Sequence, residues 1–177
     1  NLREKEKTIE VTNSFNDKNQ DKVIYGIYDP DANDFNLNMW SNSDGSEIKE
    51  IIKRINKLEL SNFAEEIFIN TILSYSYLPK GLTDKEFLDI KINWLINNKK
   101  DELLEEFLNK NESFYKKKRV IQYLVDKNIA KANLNDGCEK ISFIGKDIKD
   151  SYLEKFKIYC LVFNNKKNQA QLLYDIL

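Results

Sequence analysis

Five glycines and two prolines in 177 residues leave this chain few ways to reverse direction sharply. An all-β fold needs a tight turn every ten or so residues, and the residues that make such turns are Gly, Pro, Asn, Asp and Ser. Asn is abundant here, but together with Lys and Ile it reflects a compositional bias, so it is a weaker turn signal than usual. The scarcity of Gly and Pro therefore favours helices joined by short polar links. With 41% hydrophobic and 32% charged residues, the chain has enough apolar side chain for a core and too much charge for a membrane span. Its length suits one domain.

Along the chain, residues 1–22 are polar and aperiodic and read as a flexible lead. Val23-Ile24-Tyr25-Gly26-Ile27-Tyr28 reads as an extended run, followed by the turn-rich Asp29-Pro30-Asp31-Ala32-Asn33-Asp34. Asp29, Asp31 and Asn33 have the spacing that opens a calcium loop. However, Asp34 replaces the required glycine and Trp40 the bidentate Glu, and a half-matched loop is ordinarily a plain turn. Asp44 with Glu47 starts a first helix, whose Ile48, Ile51, Ile52 and Ile55 share one face. Ser61 caps a second, which carries Phe63, Ala64, Ile67, Phe68, Ile69, Thr71, Ile72, Leu73 and Tyr75 and stops at Pro79-Lys80-Gly81. Being apolar around most of its circumference, this second helix is expected to be the most buried. Thr83 and Glu86 form a capping box for a third helix, with Phe87, Ile90 and Trp94 on its stripe.

A phrase then recurs. Ile96-Asn97-Asn98-Lys99-Lys100 precedes Leu103, Leu104, Phe107 and Leu108, and Phe163-Asn164-Asn165-Lys166-Lys167 precedes Ala170, Leu173, Tyr174 and Leu177. A looser copy, Leu134-Asn135-Asp136-Gly137, precedes Cys138, Ile141 and Ile144. Each marks an apolar-striped helix that stops at an Asn-rich turn and is followed by a shorter amphipathic helix. The copies lie roughly thirty to forty residues apart, the range of helical-hairpin repeats. The expected fold is all-α: a short α-solenoid of helix-turn-helix pairs with about eight helices. An extended or flexible N-terminal arm would span residues 1–37 and the helical-hairpin domain residues 38–177.

Several functional classes lose support from what is missing. Histidine is absent, which removes the commonest general base and metal ligand and rules out Ser-His or Cys-His nucleophiles. No glycine-rich phosphate loop occurs, and the carboxylates sit in no recognisable pair, so catalytic residues, metal ligands and cofactors are all expected to be none. The 28 basic and 29 acidic residues give a net charge of −1, without the basic excess of a nucleic-acid binder. The one dense basic run, Lys116-Lys117-Lys118-Arg119, reads as a solvated first helical turn, and the sequon Asn111-Glu112-Ser113 as chance. No stretch is long and apolar enough to span a bilayer. Aromatics are numerous; Tyr75-Ser76-Tyr77, or Tyr152 with Tyr159, would suit a groove, though aromatics at helical spacing are ordinarily packing residues.

Asn38-Met39-Trp40 before the first helix, the Leu60-Ser61 helix start, a hairpin containing Cys138, and Lys157-Ile158-Tyr159-Cys160 with Ala170, Leu172 and Leu173 carry a resemblance. From Asn38 to the end the chain resembles a family of uncharacterised exported bacterial proteins built of helical hairpins, loosely tetratricopeptide-like, some labelled antifreeze. The resemblance implies export, most simply to the periplasm, with a signal peptide upstream of Asn1. The antifreeze label has no support in the residues, since only four threonines occur and no flat Thr-rich repeat is visible. The function expected is a non-enzymatic exported module that binds a protein or peptide partner, by analogy with other helical-hairpin folds. A structural or envelope-organising spacer, or a carboxylate-dependent hydrolase, are the alternatives.

Cys138 and Cys160 are the two cysteines. Cys160 follows Leu153 by seven positions and Phe156 by four, and precedes Phe163 by three, so it lies on a helical stripe. The link from Gly145 to Lys149 falls near the midpoint of the two sulfurs in sequence. Antiparallel packing about that link sets them at similar height, and a disulfide needs Cα atoms within about 7 Å. A disulfide between Cys138 and Cys160 is expected in an exported protein, and two buried thiols in a reducing compartment. A zinc site is poorly served by two thiolates without histidine.

Overall fold

The computed structural model describes residues 24–145 and 148–176, and the structural statements that follow concern those residues. The lead over residues 1–22 lies outside them, as do two positions of the link between Gly145 and Lys149. The described chain is all-α, with eight helices and no strand: α1 Gly45–Ile55, α2 Asn62–Leu73, α3 Asp84–Asn97, α4 Asp101–Lys110, α5 Lys117–Ala130, α6 Leu134–Glu139, α7 Ser151–Phe163 and α8 Lys167–Tyr174. Short 3-10 turns occupy Pro30–Asn33 and Lys140–Phe143. No helix among the described residues is long and apolar enough to cross a membrane.

Four helices start on a side-chain cap. Asp44 accepts from the amides of Ser46 and Glu47, Ser61 from Ala64, and Asp150 from Leu153. Thr83 and Glu86 close the full capping box, with Glu86 N donating to Thr83 Oγ1 at 3.3 Å and Thr83 N to Glu86 Oε2 at 3.0 Å. Each cap satisfies amides that would otherwise lack an intrahelical partner.

Three other helices, α4, α6 and α8, begin instead from a shared turn. Lys99, Ala132 and Asn165 each adopt left-handed backbone, with φ of 56°, 56° and 59°. In each turn the left-handed residue's N–H donates to the carbonyl three residues back: Ile96, Ile129 and Val162. The next N–H reaches five back, to Leu95, Asn128 and Leu161, at 2.9, 2.9 and 2.8 Å. This is a Schellman-type helix end, built at positions 99, 132 and 165, a constant interval of 33 residues. A residue with a Cβ adopts it at a cost of roughly 1 kcal/mol, which the packing of the hairpin must offset.

The core is centred on α3, α4 and α5. Ile92, Leu95, Leu104, Phe107, Val120, Ile121, Leu124 and Val125 are almost wholly inaccessible, joined by Ile72 and Leu73 from the end of α2 and Leu153 from α7. Phe107 meets Phe114 edge to face, with ring centroids 5.2 Å apart. Trp40 is half-buried and sets its ring against Phe87 of α3, 6.1 Å between centroids. Its Nε1 is buried without a hydrogen-bond partner.

Four local expectations are corrected. The second helix ends at Leu73, not at Pro79, because the following residues are used to pair with other segments: Ser74 bridges to Tyr28 and Lys80 to Asp44. Nor is it the most buried helix; only Ile72 and Leu73 are enclosed, while Phe63 and Ile67 remain 72% and 50% exposed. Asn135, Asp136 and Gly137 lie inside α6 and form no turn, since Ala132 has already reversed the chain. Gly137 faces α5 and α7, where a Cβ would meet Asn128 Cβ at 3.4 Å and Phe156 Cζ at 3.5 Å, ordinary contact distances. Finally, the basic run is not simply solvated. Lys116 pairs with Asp89 of α3 at 2.7 Å, Lys118 with Asp150 at 3.3 Å, and Arg119 with Asn93 at 3.4 Å, while Lys117 donates to the Glu112 carbonyl at 2.6 Å.

Cys138 on α6 and Cys160 on α7 stand at disulfide distance, with Cα atoms 5.5 Å and sulfurs 2.10 Å apart.

Candidate functional site

Two constellations outside the regular packing carry unusual chemistry. The first is a cleft of about 530 Å³ between α1 and α3. Lys49 and Lys53 on α1, with Lys57 just beyond it, recur every fourth residue and so share one side of that segment. Glu86, Asp89 and Asn93 of α3 form the facing wall, and Ile52, Ile90 and Trp94 the apolar floor. Lys49 Nζ donates to Glu86 Oε1 at 2.6 Å, tying the two walls together. That bond and the capping contacts from Thr83 hold the Glu86 carboxyl down at about 2.

The charges of the two walls do not cancel. Glu86 is taken by Lys49, and Asp89 by Lys116 of α5. Lys53 has only a long contact of 3.7 Å to Glu50 of its own helix, and Lys57 has no ion pair among the described residues. The cleft therefore presents uncompensated positive charge beside an apolar floor.

The second constellation is a dock for residues 24–28, the described part of the expected arm. Here the chain is extended and its backbone polar groups find partners on the body. Asn111, at the end of α4, accepts from Gly26 N at 3.3 Å and donates to Gly26 O at 2.9 Å, so one amide side chain takes the place of a neighbouring strand. Ile27 N donates to Leu73 O at 2.7 Å, and Tyr75 N to Tyr28 O at 3.0 Å. Lys91 of α3 donates from Nζ to Tyr25 O at 2.6 Å and more weakly to Ser74 O at 3.5 Å, with the Phe87 ring centroid 4.7 Å away.

Lys91 is only 1% exposed, and no carboxylate is paired with it. Burial lowers its pKa to about 7. A charged ammonium loses hydration on enclosure, and carbonyl dipoles return only part of it. Around it the phenols are held neutral: burial, then the Glu106 carboxylate, raises Tyr28 and Tyr75, and burial, then Asp84, raises Tyr25.

Of the residues singled out from the sequence, Tyr75, through its backbone amide, and Asn111 reach the dock, and the rest lie elsewhere. Tyr75, Ser76 and Tyr77 belong to the extended segment after α2; Ser76 is buried and the Tyr75 hydroxyl reaches Lys110 O at 3.5 Å. Tyr152 bonds Asp126 through its hydroxyl, and Tyr159 stacks between Phe156 and Phe163 with centroids at 5.9 and 6.1 Å, all on α7. Neither group lines the cleft. Asp29 caps its own 3-10 turn by accepting from Asp31 N at 3.1 Å, and the sequon asparagine Asn111 is enclosed. Lys91 and Asn111 were missed as a pair, yet each left a trace. Lys91 falls on the same stripe as Phe87 and Trp94, where an apolar residue is expected, and Asn111 closes an apolar helix without a breaker.

Comparison with protein-family models, with curated proteins and with solved structures finds no match to this chain.

Proposed function

We propose that this is a non-enzymatic, exported binding module whose α1–α3 cleft takes an acidic, partly apolar segment of a protein partner. The observation that carries the reading is the cleft itself: an apolar floor flanked by lysines whose charge the opposite wall leaves uncompensated. An acidic residue set beside an apolar one matches both features, and rim lysines govern partner choice and encounter rate more than total affinity. The regular hairpin turns at 99, 132 and 165 favour a tandem-hairpin scaffold, a class that works by presenting binding surfaces. A general acid would need a raised carboxyl pKa, whereas the resolved carboxyl shifts, at Asp44, Glu86 and Asp150, are all downward. Export, to the periplasm or another oxidising compartment, is supported by cysteines at disulfide distance, which persist as a pair in such compartments.

The test is a photo-crosslinking side chain placed at position 57, with a second at exposed Lys131, away from the cleft, as control. Cells making the first protein should yield one stoichiometric adduct that the control lacks. Reversing Lys53 and Lys57 to Glu should weaken that partner's binding by about tenfold or more. An adduct formed equally at both positions, or binding indifferent to the reversal, would overturn the assignment.

A further inference from the structure

The dock around Asn111 and Lys91 reads backbone, and its resident is a segment of this chain. We propose that it is an acceptor site for an extended strand, and that a second copy of this protein supplies that strand by exchanging residues 24–28.

The recognition is of the kind used when a peptide is added to a protein as an extra strand: main-chain bonds give affinity and a few side-chain positions give specificity. Tyr25 O, both polar groups of Gly26, Ile27 N and both of Tyr28 are all bonded to the body, through Lys91, Asn111, Leu73 and Tyr75. Side-chain selection is narrow at two places. Ile27 is enclosed at 4% exposure, and at position 26 only glycine fits. A Cβ there would lie 2.7 Å from Tyr75 N and 2.9 Å from Leu73 O, backbone atoms that cannot swing aside. Tyr25 adds an edge-to-face contact with Phe114, 6.3 Å between centroids. The ligand specified is thus aromatic–Gly–aliphatic in an extended conformation, and Tyr25-Gly26-Ile27 is the one place in the chain where that order occurs. A second copy carries the same segment.

The tether permits the exchange. Between the dock and α1 the chain passes through the 3-10 turn at Pro30–Asn33, where Asp29, Asp31, Ala32 and Asp34 are exposed. Asp34 there holds a left-handed φ of 58°. Opening this turn, at the cost of exposing buried Pro30, frees the arm without breaking an α-helix. The bonds that hold residues 25–28 run from arm to body, so an arm from another copy restores them one for one. Swaps of identical elements are therefore limited by the hinge and by concentration, not by lost contacts.

A specific protease site introduced at Asp31-Ala32 tests this on the full chain. After cleavage, the N-terminal fragment should stay with the body through gel filtration. Uncut protein mixed with the nicked, isotope-labelled protein should displace the fragment and form a mixed dimer in native mass spectrometry. A synthetic peptide of residues 22–31 should displace the fragment too, and the same peptide with Gly26→Ala at least about tenfold less well, because its Cβ meets fixed backbone. Loss of the fragment on cleavage overturns the acceptor site, as does equal competition by the alanine peptide. Displacement by peptide without any mixed dimer overturns the second copy as its source.

Discussion

Replacing Lys91 by Met should change how stability depends on pH. Lys91 is enclosed, and its folded pKa of about 7 lies below the ordinary lysine value of 10.5. The sign follows directly. Between those two values the unfolded chain binds more protons at this site than the folded one, so stability rises with pH across that window. Well below pH 7 the ammonium is enclosed at full cost, and toward pH 10 the cost fades. For a site moved this far, the linkage gives a gain of about 2 kcal/mol between pH 7 and pH 9. Lys91→Met removes the titrating group but strands the Tyr25 and Ser74 carbonyls that it bonds, at about 1–3 kcal/mol each. The two effects oppose, so the stability change at a single pH is a poor readout. The slope is the better one. Urea unfolding of both proteins at pH 7 and pH 9 should show the wild type gaining about 2 kcal/mol relative to the variant. Curves that shift in parallel between the two pH values would refute a buried ammonium at this position.

Trp40→Ala should lose about 3 kcal/mol, read by thermal or urea unfolding, because the ring rests on Phe87, while Trp40→Phe should lose clearly less since Nε1 donates to nothing inside the protein. An exposed-indole emission maximum for Trp40, measured in the Trp94→Phe background, would contradict this packing. Protein matured under oxidising conditions and unfolded without reductant should show no alkylatable thiol by mass spectrometry, the loop between Cys138 and Cys160, 22 positions apart in sequence, being closed at a gain of about 3 kcal/mol. Two alkylated cysteines would dismiss both the bridge and the main support for export.

What the sequence revealed was chiefly local. The Thr83–Glu86 box and the caps at Asp44 and Ser61 depend on residues three apart, so composition and spacing suffice to find them. The turns after Asn97 and Asn164 were visible for the same reason. Ala132 was not, because alanine gives no turn signal; its left-handed φ of 56° is imposed by closing α5 onto α6. The early end of α2 was equally hidden. Ser74 to Tyr77 contain no breaker, and the helix stops there because Leu73 and Tyr75 must offer their backbones to the arm. The cleft was not read from the sequence: Lys49, Lys53 and Lys57 recur every fourth residue, but only tertiary packing brings Glu86 and Asp89 opposite them.

The packing of the C-terminal helices bears on where the cysteines lie. Packing thins after α5: α3 encloses six side chains and α5 five, whereas α7 encloses three and α8 only Ala170. Ion pairs across helices compensate little, since partly exposed pairs contribute at most about 1 kcal/mol each. The last hairpin, α7–α8, thus has little to hold it to α6, and its Tyr159 and Phe163 stay 45% and 43% exposed. A bridge between these cysteines would act at this thinly packed joint, where about 3 kcal/mol is a large share of the local stability. Reduction should therefore act locally before it acts globally. Amide exchange in α7 and α8 would accelerate first, while the amides of α3 to α5, enclosed by Ile92, Leu104 and Ile121, keep their protection.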